Sequence, residues 1–389
     1  MIKALSAFTE EVDDIEQAIV DIEGQIGGYG ELQGNTIGLL TCYSEFISSG
    51  VVRELCRALP FPVIGATTLG NIVSGSSGRI LLTLLILTSD DVEFSTGLSE
   101  PLSCADEAPL REAYEGAVSK ISGRPSFMLS FAPLLIPVGG DFFADAFSDI
   151  SGGVPNFGMM PVDNNSDYRD AQVIFDGDAY RDRYAFALVS GNVSPRFFMA
   201  SISTERVFSQ KGVVTSSAGN QVKSLNGRPV IEYLESLGLK RSEDGGIAGV
   251  NSFPFVLDYN DGTLPVVRVI FAITPEGYAV CGGDIPEGAI LSVGRIDRDE
   301  VLSTTTRLVS DVLATEKPDC VLMFSCVGRY FIQGYDPTSE IRRVKELMEK
   351  ACVPYQFTYS GGELCPVSSN TGERLTNRNH NDTFVMCVL

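Results

Sequence analysis

Polar side chains able to hold a ligand gather where short apolar runs of this chain end. Thr67, Thr68, Gly70 and Asn71 follow the run at Val63–Ala66. They put two hydroxyls, an amide and closely approachable backbone at one loop, groups that hydrogen-bond a carboxylate or an amide, or else form an ordinary turn with satisfied side chains. Asp163, with Asn164 and Asn165, holds the corresponding place after Phe157–Met160 and either lines the same cleft or caps a turn. Ser325, Cys326 and Arg329 end a third run, and Tyr359, Ser360, Gly361, Gly362 and Glu363 end its neighbour. A guanidinium holds a carboxylate or phosphate bidentately, and Glu363 can accept from an ammonium group. Arg329 and Glu363 together suit a zwitterion, unless they pair with each other or Arg329 joins another acidic side chain. His380, the single histidine, lies beside Asn379, Asn381 and Asp382. It contacts the ligand, or leads by hydrogen bonds into the last strand, or completes a nucleophile–base pair with Cys326 or Ser325. No G-x-S-x-G elbow surrounds Ser325, and one histidine excludes multi-histidine metal sites. The expected ligand contacts are therefore these loop residues, with Asn381, and no catalytic or metal-binding residue is assigned.

The elements that position these loops read as three versions of one pattern: strand, helix, Pro-led strand with a small polar end, and returning strand. The first version runs from the segment ending at Tyr43 to the run ending near Leu87, the second from Ser126 to Gly191, the third from Val321 to Leu389. Such an echo predicts related substructures that place related loops together. Val12, Ile15, Ile19, Ile22 and Ile26 recur at helical spacing, as do Leu308, Val309, Val312 and Leu313, and Ile341, Val344, Leu347 and Met348. Asp336-Pro337 offers a cap and first-turn proline for the last of these. Continuous apolar runs such as Ile80–Leu87, Val266–Ile273 and Thr383–Leu389 predict strands buried on both faces. Asp176-Gly177, Asn226-Gly227 and Asp261-Gly262 suit tight turns. The expected fold is α/β: two related domains, residues 1–195 and 196–389, each with helices packed on largely buried β-sheet.

Composition limits what such a protein can meet. The 389 residues carry a formal charge of −21, which disfavours nucleic acid and anionic membrane surfaces as partners. No apolar run approaches the roughly 18 residues of a membrane span. The acidic N-terminal segment is unlike a secretory leader, so a cytoplasmic location is expected. Nine cysteines without CxxC pairs read as reduced thiols rather than a disulfide scaffold or zinc site. Cys56, Cys320 and Cys387 fall at core positions, whereas Cys42, Cys326 and Cys365 stand at strand ends where a ligand could meet them. The glycine-rich segments lack a P-loop lysine or a dinucleotide fingerprint, so no cofactor is expected.

Several motifs, in order and spacing, resemble the FIST (F-box and intracellular signal transduction) family, in which an N-terminal and a C-terminal FIST domain occur together. They are Val63-Ile64-Gly65-Ala66-Thr67-Thr68-Leu69-Gly70, Asp176-Gly177, Asn226-Gly227-Arg228-Pro229, Phe324-Ser325-Cys326-Val327-Gly328-Arg329, Tyr359-Ser360-Gly361-Gly362-Glu363 and His380-Asn381-Asp382-Thr383. The resemblance implies a sensory module for a small ligand, with amino acids or their derivatives as the class. Because the chain closes on its last apolar strand, either output comes from a separate signalling partner or the protein works alone. Two alternatives come from other classes: a Cys/Ser-His hydrolase or acyl-transfer enzyme using Cys326 or Ser325 with His380, and a protein-interaction scaffold without a small ligand.

Overall fold

A computed structural model describes residues 2–135, 138–165, 167–243 and 245–389. Three six-stranded sheets share one strand order. In the first, Lys3–Thr9 is followed across the sheet by Leu82–Ser89, Asn35–Cys42 and Val63–Thr67, then by a hairpin of Val173–Phe175 and Asp178–Tyr180. The second runs Val92–Leu98, Ala185–Gly191, Pro125–Phe131, Asn156–Met159, then the hairpin Glu363–Ser368 and Leu375–His380. The third runs Arg196–Ala200, Phe384–Val388, Val321–Cys326, Tyr355–Ser360, then the hairpin Asn71–Val73 and Ser76–Gly78. In each sheet the two central strands pair in parallel and the rest pair antiparallel.

Each sheet thus ends in a hairpin that departs from another sheet's central strand, and the exchange is cyclic. A boundary at residue 195 falls between Ala185–Gly191 of the second sheet and Arg196–Ala200 of the third, yet two of the three hairpins, 71–78 and 363–380, cross it. The Asp176-Gly177 turn closes the remaining hairpin, 173–180, with φ of 48° and 89°, the conformation a two-residue hairpin loop demands.

Continuous apolar runs become strands buried on both faces because the sheets are covered twice. One face of all three sheets lines a shared interior: Ile37, Leu39 and Leu85 from the first, Phe127 and Phe157 from the second, Leu322, Phe324 and Val385 from the third. Phe157 stacks on Phe324 with ring centroids 5.0 Å apart. Each large buried side chain contributes roughly 1.5–3 kcal/mol. Helices cover the outer faces. Ile15–Tyr29 starts where Asp14 caps the Gln17 amide at 3.0 Å, and Arg298–Thr315 starts where Asp297 caps Glu300 at 3.0 Å. Ser339–Ala351 begins two residues later than Asp336-Pro337 would place it, with Thr338 at the N-cap position.

Residues between the third sheet's edge strand and the Arg298–Thr315 helix form an eight-stranded sheet with its own core. Here one expectation needs correction. The single strand expected over Val266–Ile273 is two, Val266–Arg268 and Ile270–Ile273, on opposite arms of the sheet. The chain turns there beside Arg268, whose buried guanidinium is held by Asp141. The helix Val230–Ser236 starts only after Arg228 and Pro229, which pair with the neighbouring strand.

Candidate functional site

The polar strand ends converge, and they bond to one another. The Val162 amide donates to the Thr67 carbonyl at 3.2 Å, Gly361 donates to Met160 at 2.9 Å, and Tyr359 donates to Gly70 at 3.2 Å. The Thr68 hydroxyl donates to the Tyr359 carbonyl at 2.7 Å, and Thr67 Oγ1 accepts from the Gln172 amide at 2.9 Å. Asn71 Oδ1 accepts from Thr41 at 2.8 Å and Thr358 at 2.7 Å, while its Nδ2 donates to Leu81. Asp163 accepts from the amides of Asn165 and Asp170. Thr67, Thr68, Gly70, Asn71 and Asp163 are all buried. Their polar groups lock the three sheets together and face no open space.

Alternation along a strand then divides the remaining residues, since neighbours point to opposite faces. Ser325 and Tyr359 face the helices. There Arg329 and Glu340, both wholly buried, form an ion pair at 2.9 Å. Glu340 also accepts from Ser325 at 2.9 Å and Tyr359 at 3.1 Å, and Arg329 donates to Thr305 at 2.7 Å and the Val301 carbonyl at 3.0 Å. Arg329 therefore pairs with Glu340, and the expected pairing or joint ligand grip with Glu363 is corrected. Each of the three guanidinium nitrogens meets an acceptor.

Cys326 and Ser360 face the other way. Beside them lies a cavity of about 510 Å³ whose floor includes Cys326, Gly361, Asn381 and Asp382. Its walls come from elsewhere in the chain: Tyr168 from the N-terminal half, Val269 and Phe271 from the eight-stranded sheet, and Gly328 and Phe331 from the short Val327–Ile332 helix. Phe271 and Phe331 remain 62% and 58% exposed at the rim. Asp382 is buried, and among the described residues neither carboxylate oxygen has a hydrogen-bond partner; the same holds for Asn381 Oδ1 and Glu363 Oε2. Burial lifts the Asp382 carboxyl to about 7, opposed by the Arg329 charge. Burial likewise drives Glu363 well above the carboxylate range, against the hydroxyl it receives from Ser360. The Cys326 thiol is pushed far up by burial, then by Glu363 and Asp382, so it is no ready nucleophile. Cys42 and Cys365 are packed in the core and their thiols are also pushed up by burial.

His380 does not complete a catalytic pair. Its Nε2 lies 2.9 Å from the Cys365 carbonyl, and among the described residues no hydrogen bond joins it to Ser325 or Cys326. Burial depresses its pKa to about 4, which leaves a neutral imidazole. No group of three or more metal-ligating side chains occurs among the described residues, and no described helix is long and apolar enough to cross a membrane.

Of the fourteen expected contacts, Cys326, Gly361 and Asn381 line the cavity, with Ser360 and Glu363 immediately behind. Asp382, Gly328, Phe271 and Phe331 are the residues that sequence reasoning missed. A signal existed for Asp382: it stands in a polar run, Thr376 to Thr383, that leads into the wholly buried strand Phe384–Val388. A second buried ion pair was also missed, Arg268–Asp141 at 2.6 Å, with Asn379 donating to Asp141 at 3.1 Å. It pins the Gly140–Ser151 helix to the eight-stranded sheet.

Fold and site together define an α/β protein of buried mixed sheets with a polar-floored cavity where two bodies of the chain meet. The chain belongs to the FIST family: the FIST N domain model matches residues 36–228 and the FIST C domain model residues 231–366. These are sensory domains of signal transduction. No curated protein matches by sequence. Among solved structures, cyanuric acid hydrolase from A. caulinodans is similar at 10% identity and a TM-score of 0.37, over 100% of this chain and 99% of that one. T. maritima PurL complexed with FGAR follows at 9% identity and a TM-score of 0.20, over 100% of this chain and 72% of that one. Neither superposition is close enough to carry an argument.

Proposed function

We propose that this protein is a sensor that binds a small polar metabolite in the cavity floored by Cys326, Gly361, Asn381 and Asp382. The observation that carries the reading is the set of buried, unpartnered acceptor atoms on Asp382 and Asn381 beside that space. A buried polar atom without a partner costs about 1–3 kcal/mol, and a ligand that donates to it recovers that loss. The walls give occupancy a route to output. Phe271 belongs to the eight-stranded sheet and Gly328 and Phe331 to the third unit, so a ligand touching both favours one arrangement of the two bodies. A separate signalling protein reading that arrangement is the partner this reading calls for, and a cytoplasmic setting is part of the same proposal. The common order of the three sheets supports a further part of it, that the units are copies of one repeat.

Thermal-shift screening of amino acids, amines and small carboxylates tests the reading. A ligand of the native state raises the apparent melting temperature saturably, by mass action. The shift should shrink in Phe331→Ala, whose exposed side chain can be removed without disturbing the core. A saturable shift unchanged in that variant and in Asp382→Asn would place the site elsewhere.

A further inference from the structure

The chemistry of the cavity floor selects among metabolites. Three oxygens there accept nothing: both carboxylate oxygens of Asp382, and Oδ1 of Asn381, whose Nδ2 is already bonded to the His380 carbonyl at 3.0 Å. Among the described residues no lysine or arginine lines the space. The nearby guanidinium, Arg329, is held by Glu340, Thr305 and the Val301 carbonyl. An anionic ligand would therefore meet buried acids with no cation to answer it. An ammonium group brings three N–H donors and a positive charge, and charge-assisted hydrogen bonds are the strong ones. Away from these oxygens the lining is largely apolar, with Val269, Val327 and Ile332 inside and two exposed phenylalanine rings at the mouth, beside the uncharged Tyr168, Asn251 and Ser252. The formal charge of −21 adds a field that attracts cations over distance. Glycine at 328 completes the floor, because a Cβ there would overlap the Asp382 carboxylate.

We propose that the ligand is a primary amine with an apolar body, its ammonium held by Asp382 and Asn381 and its body packed between Phe271 and Phe331. This inference rests on reading the cavity as the ligand site. Recognition runs through the amine, and a carboxylate on the ligand adds nothing inside the cavity.

Titration sharpens the test. The groups facing Asp382 are Glu363 from its hairpin strand, Cys326 from the end of the central strand, Arg329 from the short helix, and Tyr168 across the cavity. Burial raises Glu363, Cys326 and Tyr168, favouring their neutral forms. Asp382, lifted to about 7, is the group that changes charge there, and the ammonium needs its ionised form. Affinity should then fall about tenfold from pH 8 to pH 6.

The experiment is isothermal titration of the full chain with 2-phenylethylamine and n-pentylamine, against the shape-matched 3-phenylpropionate and hexanoate, at pH 8 and pH 6. The expected result is saturable binding of the amines, weaker by about tenfold at pH 6, with no binding of the acids. Asp382→Asn should abolish amine binding together with its pH step, and Phe331→Ala should weaken it several-fold. Acids that bind, and lose binding in Phe331→Ala, would overturn the amine assignment while leaving the cavity as the ligand site. Amine binding indifferent to Asp382→Asn would also overturn it. Binding by neither class would overturn both readings.

Discussion

Two acidic clusters lie on opposite faces of the Val321–Cys326 strand, and they are built to opposite rules. On the helix side Glu340 is met by Arg329, Ser325 and Tyr359. On the cavity side Asp382 is equally buried and meets no donor at either oxygen. A buried charge with all its partners holds a fold in one arrangement, whereas a buried acid without partners holds a vacancy for a donor that arrives from outside. The difference separates residues that stabilise from residues that recognise, although both sets are polar and both stand at strand ends.

Removing one partner from the satisfied cluster should give the largest effect. Arg329→Ala leaves Glu340 buried and unpaired, and a loss of about 3–5 kcal/mol is expected, read as a lower urea midpoint; a loss under about 1 kcal/mol would show that the pair is not structural. The unsatisfied acid should behave in reverse. An Asp pKa raised in the fold makes no difference to stability below its unfolded value near 4, and costs stability increasingly as pH rises to about 7. Asp382→Asn should therefore stabilise the protein at pH 8, by on the order of 2–4 kcal/mol, and change little at pH 4. A stabilisation independent of pH would break the comparison.

His380 has the opposite sign to Asp382. Its folded pKa is depressed to about 4, so it contributes stability above its unfolded value near 6.5 that is lost as pH falls toward 4. The loss should be roughly 3 kcal/mol, and replacing His380 by Gln should flatten that part of the urea midpoint curve. The smallest stability effect belongs to the rim. Phe331→Ala should alter stability by less than about 0.5 kcal/mol while reducing any ligand-induced thermal shift, which separates recognition from folding a second time.

The family and the α/β class were legible in the sequence, and so were most elements. Apolar spacing marks Ile15–Tyr29 and Ser339–Ala351 as helices, and the continuous runs mark the buried strands. The candidate site was legible only in part. Ser325 and Cys326 are adjacent in sequence and read as one ligand-contacting pair, yet a one-residue step in a strand turns them to opposite faces. Thr67, Thr68 and Asn71 have the right chemistry for a ligand, but their partners are Gln172, Tyr359 and Thr358, far along the chain. Asp382 went unassigned because its meaning lies in what surrounds it.

By itself the sequence determined what is local and periodic: helix faces, doubly buried strands, the Asp176-Gly177 turn and the acidic charge that favours cations. Only the tertiary structure decided which polar groups satisfy one another, since that depends on three hairpins crossing between sheets and on the eight-stranded sheet closing over Asp382. Hydrogen bonds reach about 3 Å, and no spacing along a chain specifies which distant residues come within that reach.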